Sequence, residues 1–275
     1  MAGLYPPKGK EVWFPEDVLT WQPIPIHTTM VTMDCLIGFP PCPKYLALLD
    51  EAKKSEVDFL DFMREKSGLE HSTSMFDLVA VADSSYFEKV GNKPLPEWFN
   101  SSIFDKLMDL NNFATKVKEG SDNMEMKRFC KGVLLNEIAD NMIAKARSPQ
   151  NRTYKMYSYA GQDSMISCIL NALGVFNNIV PPPASCVMIE LHKHVHAKRT
   201  YTVDIYYRND SSVDPIVLTI PECQTHCPLE TFLELTSDVR VTEERWFKDC
   251  GGERNFQSYS RGANLHLNKG DHLEY

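Results

Sequence analysis

Long apolar runs are missing from this sequence. None of its 275 residues lies in a stretch of roughly 20 apolar residues, the length a helix needs to cross a bilayer, so no membrane span is expected. Basic runs are missing too. Lys and Arg total 29 against 37 Asp and Glu, a net charge of −8, so no track for nucleic acid or another polyanion is expected. The first residues, MAGLYPPKGKEVW, contain no apolar h-region and do not form a signal peptide. Internal repeats are absent, so the chain is not a repeat array.

What is present is ordinary globular composition, 43% apolar and 24% charged. The length suits one large domain, or one domain carrying a sizeable insertion. There are eight cysteines: Cys35, Cys42, Cys130, Cys168, Cys186, Cys223, Cys227 and Cys250. Three N-x-[ST] sequons fall at Asn100, Asn151 and Asn209. Neither signal settles the compartment alone. Together they favour a secreted or lysosomal route, with the start of the chain missing or its signal upstream. PECQTHCPLE holds a C-x3-C pair. Zinc would need a second half-site with matching spacing. No other Cys/His pair is well placed, so a local disulfide is favoured over a metal.

Residues 1–43 are rich in proline and aromatics and read as irregular chain with at most one short strand. From Lys44 to about Lys118 the pattern is helical. Leu46, Leu49, Val57, Leu60 and Met63 recur at helical spacing, with Gly68 as a stop. MFDLVAVAD is a second helix, and Asn100 or Ser101 caps a third carrying Ile103, Leu107 and Leu110. Residues 124–147 read as one long helix containing a weak point at Gly132. After Asn151, strand and helix alternate. KMYSY is a strand and MISCILNALG a helix ending at Gly174. CVMIELH and YTVDIYYR are strands joined by a His-rich turn, IVLTI is a strand, and PLETFLELT a short helix. The last stretch, 251–275, is polar and reads as a flexible tail. The order, helical insert and then α/β, predicts an α/β fold with a helical cap.

The stretch YSYAGQDSM, Tyr157 to Met165, places Gln162 and Asp163 between a strand and a helix. Open α/β sheets put ligand chemistry at such carboxyl ends. Read alone, an Asp just before a helix is a common N-cap, a role open to Asp163 or Ser164. His192, His194 and His196 alternate and would share one face of a strand; with no carboxylate or cysteine evident nearby, they read as a solvated hairpin tip. His27 reads as a loop contact, and the acidic run DEAKKSEVDFLDFMREK as a solvated helix face.

AGLYPP, WQPIPIHT, CPKY, LPEW, KGVLLNEI, YAGQDSM, PPPASC, YYRN and PECQTHCPLE, closing on Trp246 to Cys250, come in one order. In that order and spacing the chain resembles the histidine acid phosphatases, the prostatic and lysosomal type, from about Ala2 to Cys250. The resemblance implies a large α/β domain with a mixed sheet over 1–42 and 116–250. It also implies an inserted helical cap over 43–115, with the family's amino-terminal portion lacking. Disulfides Cys42–Cys250 and Cys223–Cys227 are implied. The first closes a very long loop, which in the chain-entropy view stabilises by several kcal/mol. A third family bridge would use Cys186, but its partner position falls on Phe87. That leaves Cys186 free, or joined to Cys35, Cys130 or Cys168. Asn209 sits where relatives often carry sugar. Family members are often dimers, so a homodimer is an expectation.

The implied chemistry is hydrolysis of phosphate monoesters at acidic pH, without a metal or other cofactor. A histidine in an Arg-His-Gly motif attacks phosphorus, arginines hold the phosphate, and a later His-Asp pair contacts phosphate and supplies the leaving group's proton. Phosphoryl transfer depends on positioning and charge neutralisation, and the leaving alcohol needs an acid with an available proton. No Arg-His dipeptide occurs in these residues. The His-Asp pair falls on Gln162 and Asp163. Asp163 matches the proton donor. Gln162 can donate a hydrogen bond to phosphate but carries no charge, and a charge-assisted bond is roughly twice as strong. Weak or absent catalysis is therefore the expectation, with a non-catalytic glycoprotein acting by binding as the alternative.

Overall fold

The computed structural model describes residues 34–37, 42–52, 58–68, 77–119, 123–147, 154–194 and 201–251. The expected tail beyond Gly251, His27, His196 and the Asn151 sequon lie outside the described residues. Four helices come first: α1 (Pro43–Ala52), α2 (Asp58–Ser67), α3 (Leu78–Val90) and α4 (Ser101–Lys118). α1 opens with proline at its first position, where the lost N–H has no helical partner anyway. α4 starts where the sequence predicts. Asn100 is extended, and its Oδ1 accepts from the Ile103 amide at 3.1 Å. Met63, Leu78, Ala82, Phe99, Leu107 and Leu110 close a small core among these helices.

The long helix expected over 124–147 is broken into α5 (Met124–Lys127), a π turn (Arg128–Gly132) and α6 (Val133–Arg147). Lys131 leaves helical geometry there, at φ −144° and ψ 27°. The cause is a crossing segment. Val241 N donates to the Gly132 carbonyl at 3.3 Å. A Cβ built on Gly132 would stand 2.4 Å from the Val239 carbonyl oxygen. Only a residue with no side chain lets the two backbones meet so closely.

α7 (Asp163–Ala172) follows, and Gly174 ends it in left-handed geometry, φ 72°. The sheet is β1 (Cys186–Lys193), β2 (Tyr201–Arg208), β3 (Ile216–Leu218) and β4 (Cys227–Pro228). β2 is central: β1 pairs along one side, and β3 and β4 also pair with it. Among the described residues every pairing is antiparallel, where the resemblance implies a mixed sheet. The strands follow one another through short links, and parallel pairing needs a long crossover. KMYSY is not a strand. Met156 is 50% exposed and Tyr157 44%, and no neighbouring strand among the described residues supplies a ladder for the segment, without which an extended run is not held. α8 (Leu229–Leu235) and α9 (Glu243–Asp249) complete the fold.

The main core joins α6, α7, β2 and α8 through Leu135, Ile169, Val203, Ile205 and Phe232. Burying a side chain of this size contributes roughly 1.5–3 kcal/mol. Among the described residues no helix is long and apolar enough to cross a membrane. Cys42 pairs with Cys250, Cys223 with Cys227, and Cys130 with Cys168. Cys186 is an exposed free thiol, and Cys35 is buried with its Sγ 3.6 Å from Glu243 Oε1.

The contact at Gly132 yields a direct test. Gly132→Ala should lower stability by about 1–3 kcal/mol, the usual range for forced overpacking, although alanine is the better helix former. Urea unfolding of the variant against the parent chain measures it; an unchanged midpoint would refute the close crossing.

Candidate functional site

The turn leading into α7 holds Gln162 and Asp163, both exposed. Gln162 takes the N-cap position with extended backbone, φ −89° and ψ 173°, and its side chain makes no capping bond. Its carbonyl alone starts the helix, accepting from Met165 N at 3.0 Å and Ile166 N at 3.4 Å. Asp163 is the first helical residue, so neither it nor Ser164 is the N-cap that a reading of the sequence alone allows. Its Oδ1 accepts from the Ser164 amide at 2.7 Å, and its charge lies at the positive end of the helix dipole. Met165 folds back under the turn: a Cβ on Gly161 would stand 2.5 Å from its Sδ. The Ala160–Gly161 pair therefore makes room for a buried methionine beneath two exposed polar side chains.

The electrostatic neighbours of Asp163 are acids. Partial burial first, and then the Asp163 charge, hold Asp83 of α3 above the usual carboxylate range, against a hydrogen bond from Asn111 and the charge of Lys118. Glu119, which caps the end of α4, is 1% exposed. Burial pushes its carboxyl up to about 8, with Asp163 adding to the rise and Lys118 and Lys131 opposing it. Lys131 is fully buried; its Nζ donates to the Ile37 carbonyl at 3.1 Å, and burial pushes it down to about 8. Tyr159, beside the turn, donates to Glu137 Oε1 at 2.6 Å, and burial, followed by that bond, raises its phenol further. The turn can thus offer a carboxyl group and an amide to a ligand.

Glu119, Lys131 and the Cys130–Cys168 bridge are absent from the sequence reading. Glu119 follows two lysines within four residues at a helix end and looks solvated. Cys130 and Cys168 each stand in an apolar helical run, a pattern that marks burial and says nothing of partners. The histidine reading also needs correction. His192 Nε2 lies 2.9 Å from Glu190 Oε2 and 3.4 Å from Asp204 Oδ2. His226 Nδ1 meets the same Asp204 oxygen at 2.9 Å. Carboxylates do stand beside these rings, because the hairpin register sets Glu190 opposite Asp204. Of the sequons, Asn100 is exposed and Asn209 half-buried.

Comparison with known proteins gives one answer. A model of the histidine phosphatase superfamily (branch 2) matches residues 47–208. Prostatic acid phosphatase of Rattus norvegicus is 34% identical over 271 residues, covering 94% of this chain and 68% of the relative. The human prostatic enzyme is 35% identical, covering 91% of this chain and 66% of the relative. Lysosomal acid phosphatase of Xenopus laevis is 34% identical, covering 91% of this chain and 59% of the relative. The chain thus spans about three fifths to two thirds of the length of these relatives.

The buried acid sets a pH dependence. Between the ordinary value of 4.5 and about 8, folded Glu119 keeps a proton that the unfolded chain releases. This contribution is full below the lower value and is lost as pH rises through the upper one. The contribution of Lys131 changes only between about 8 and 10.5, above that window. Glu119→Gln should therefore flatten the fall in melting temperature between about pH 5 and 8. Parallel slopes for parent and variant would show that Glu119 does not hold its proton in the fold.

Proposed function

This chain belongs to the histidine phosphatase superfamily, branch 2, and from that premise we propose that its site is a phosphate monoester site of the acid phosphatase type, weak or inactive in the residues given. The observation that carries the reading is the turn at α7. Asp163 stands exposed at the head of that helix, at the position the resemblance gives to the proton donor. Gln162 stands beside it with its side chain unused by the fold. In this reading Asp163 gives its proton to the leaving alcohol. Gln162 contributes a neutral hydrogen bond to phosphate where the family has a charged one.

Positive charge is the limiting element. Phosphoryl transfer needs several positive groups around the equatorial oxygens, and the groups on which the Asp163 charge acts, Asp83 and Glu119, are acids. The 275 residues hold no Arg-His pair, so they supply neither the family's nucleophile nor its first phosphate clamp. The neutral Gln162 favours a second reading, a secreted or lysosomal glycoprotein that binds a partner and does not turn substrate over.

We assign α1–α3 and all but the last turn of α4, with the separate core of Met63, Leu78 and Leu107, to the helical cap over 43–115, and the remainder to the phosphatase-like α/β domain over 1–42 and 116–250. Secretory or lysosomal routing and pairing into a homodimer complete the proposal. Asn100 is compatible with a glycan. Capping uses its Oδ1, and sugar is attached at the amide nitrogen.

The test is hydrolysis of p-nitrophenyl phosphate at about pH 5. Purified residues 1–275 should show little turnover, since loss of a covalent nucleophile costs roughly a million-fold in a serine hydrolase. Vigorous hydrolysis would overturn the weak-activity reading. Any turnover measured should fall ~10²–10⁴-fold in Asp163→Asn, the usual worth of a general acid; an unchanged rate would remove Asp163 from that role.

A further inference from the structure

Three side chains from three elements converge beneath the α7 turn. Cys130 comes from the π turn, Cys168 from the second turn of α7, and Glu119 from the end of α4. One ligand atom of each lies within 4.8 Å of the other two. Their residues are 2%, 0% and 1% exposed respectively. Glu119 Oε2 is 3.0 Å from Cys130 Sγ and also lies against Cys168 Sγ.

The disulfide accounts for two of these residues and leaves the third unexplained. A disulfide sulphur has no proton to donate. In the oxidised chain the Glu119 carboxyl therefore meets two sulphurs that can only accept, in an enclosed place where polar groups are rare. Two thiolates and a carboxylate at this spacing form a ligand set for a borderline-soft divalent cation. Zinc binds thiolate sulphur at about 2.3 Å and carboxylate oxygen at about 2.0–2.2 Å, so once the bond is reduced the two sulphurs must move apart to take an ion between them and the Glu119 oxygen.

We propose that Glu119, Cys130 and Cys168 form a redox-gated site for one zinc-class divalent cation, open to metal when the Cys130–Cys168 bond is reduced and closed when it is formed. In the gating step a small-molecule dithiol gives two electrons and two protons to the disulfide. The S–S bond breaks, two thiols form, and the dithiol leaves as its own cyclic disulfide. The cation then displaces one proton from each thiol and one from the Glu119 carboxyl, and three protons are released. Three anionic ligands leave the complex with a single negative charge, and Lys131, fully buried, stands next to Cys130 in the chain. Water takes the fourth position. Metal so held would tie α4, the π turn and α7 together where the disulfide ties only the last two. None of this rests on phosphatase activity.

The experiment uses the full chain, refolded with a phosphine reductant and titrated with Co²⁺ as a spectroscopic stand-in for Zn²⁺. One equivalent should bind, with thiolate-to-cobalt charge-transfer absorption that Zn²⁺ abolishes. The oxidised chain should show none. Cys130→Ser with Cys168→Ser should abolish the absorption. Glu119→Gln, which preserves shape and decides the matter if the double variant does not fold, should weaken affinity at least ~10-fold. Cys223→Ser with Cys227→Ser should leave the signal in place. The proposal is overturned by a reduced chain that binds no cobalt, by binding unchanged in Glu119→Gln, or by a signal that disappears with Cys223 and Cys227.

Discussion

Between Arg128 and Gly132 the long helix gives up its regular ladder, and other parts of the chain take over the backbone groups it releases. The Phe129 carbonyl accepts from the buried indole of Trp246 at 2.9 Å, and the Gly132 carbonyl accepts from the Val241 amide. Arg128 Nε donates to the Asp238 carbonyl. A buried carbonyl without a partner would cost about 1–3 kcal/mol, so the break persists only because α9 and the 238–241 segment dock on it. The docking is reinforced by packing: Phe129 and Trp246 meet edge to face with centroids 6.1 Å apart, inside a cluster that includes Cys42 and Cys250. The longest disulfide loop of the chain therefore closes beside the break.

The same five residues govern what lies under the α7 turn. Because Lys131 leaves helical geometry, Cys130 and Lys131 are both carried into the interior, one reaching Cys168 and the other the Ile37 carbonyl. Cys168 fixes α7 against the break, and Glu119 brings the end of α4 to the same place. Desolvation then outweighs nearby charge. Lys118 and Lys131 both act to lower the Glu119 carboxyl, yet burial raises it. Asp163, by contrast, stays exposed at the helix head. The elements that position the site are thus clamped from beneath, and the side chains that would meet a ligand are left outside the clamp.

Local signals in the sequence were enough for α4, whose cap at Asn100 is a single side chain bonding a nearby amide, and for α7, which ends at a glycine in left-handed geometry. The β1–β2 hairpin was legible for the same reason. KMYSY was misread because strand character depends on a neighbour, and alternation alone cannot supply one. Gly132 was visible as a weak point, but its cause, the carbonyl of Val239, is more than a hundred residues away in the chain. Glu119 and the carboxylates beside His192 were hidden similarly. Their surroundings are fixed by a helix end meeting a distant π turn, and by cross-strand register.

The α7 turn also shows how a site position can change without the fold responding. Its N-cap works through the Gln162 carbonyl, and the side chain contributes nothing to the cap. The helix is begun by backbone geometry that any L-residue adopts at φ −89°. The packing beneath depends on Gly161 and Met165. A histidine at position 162, where the resemblance implies one, and the glutamine present are therefore equivalent to the fold, and they differ only in what they offer a phosphate. Position 163 is less free, because a carboxylate there bonds the Ser164 amide and complements the helix dipole, worth about 0.3–1 kcal/mol. Stability holds the aspartate in place and is indifferent to its neighbour. Exchange at 162 therefore leaves the fold as it is, whereas exchange of the aspartate at 163 removes its bond to the Ser164 amide and its charge at the helix head.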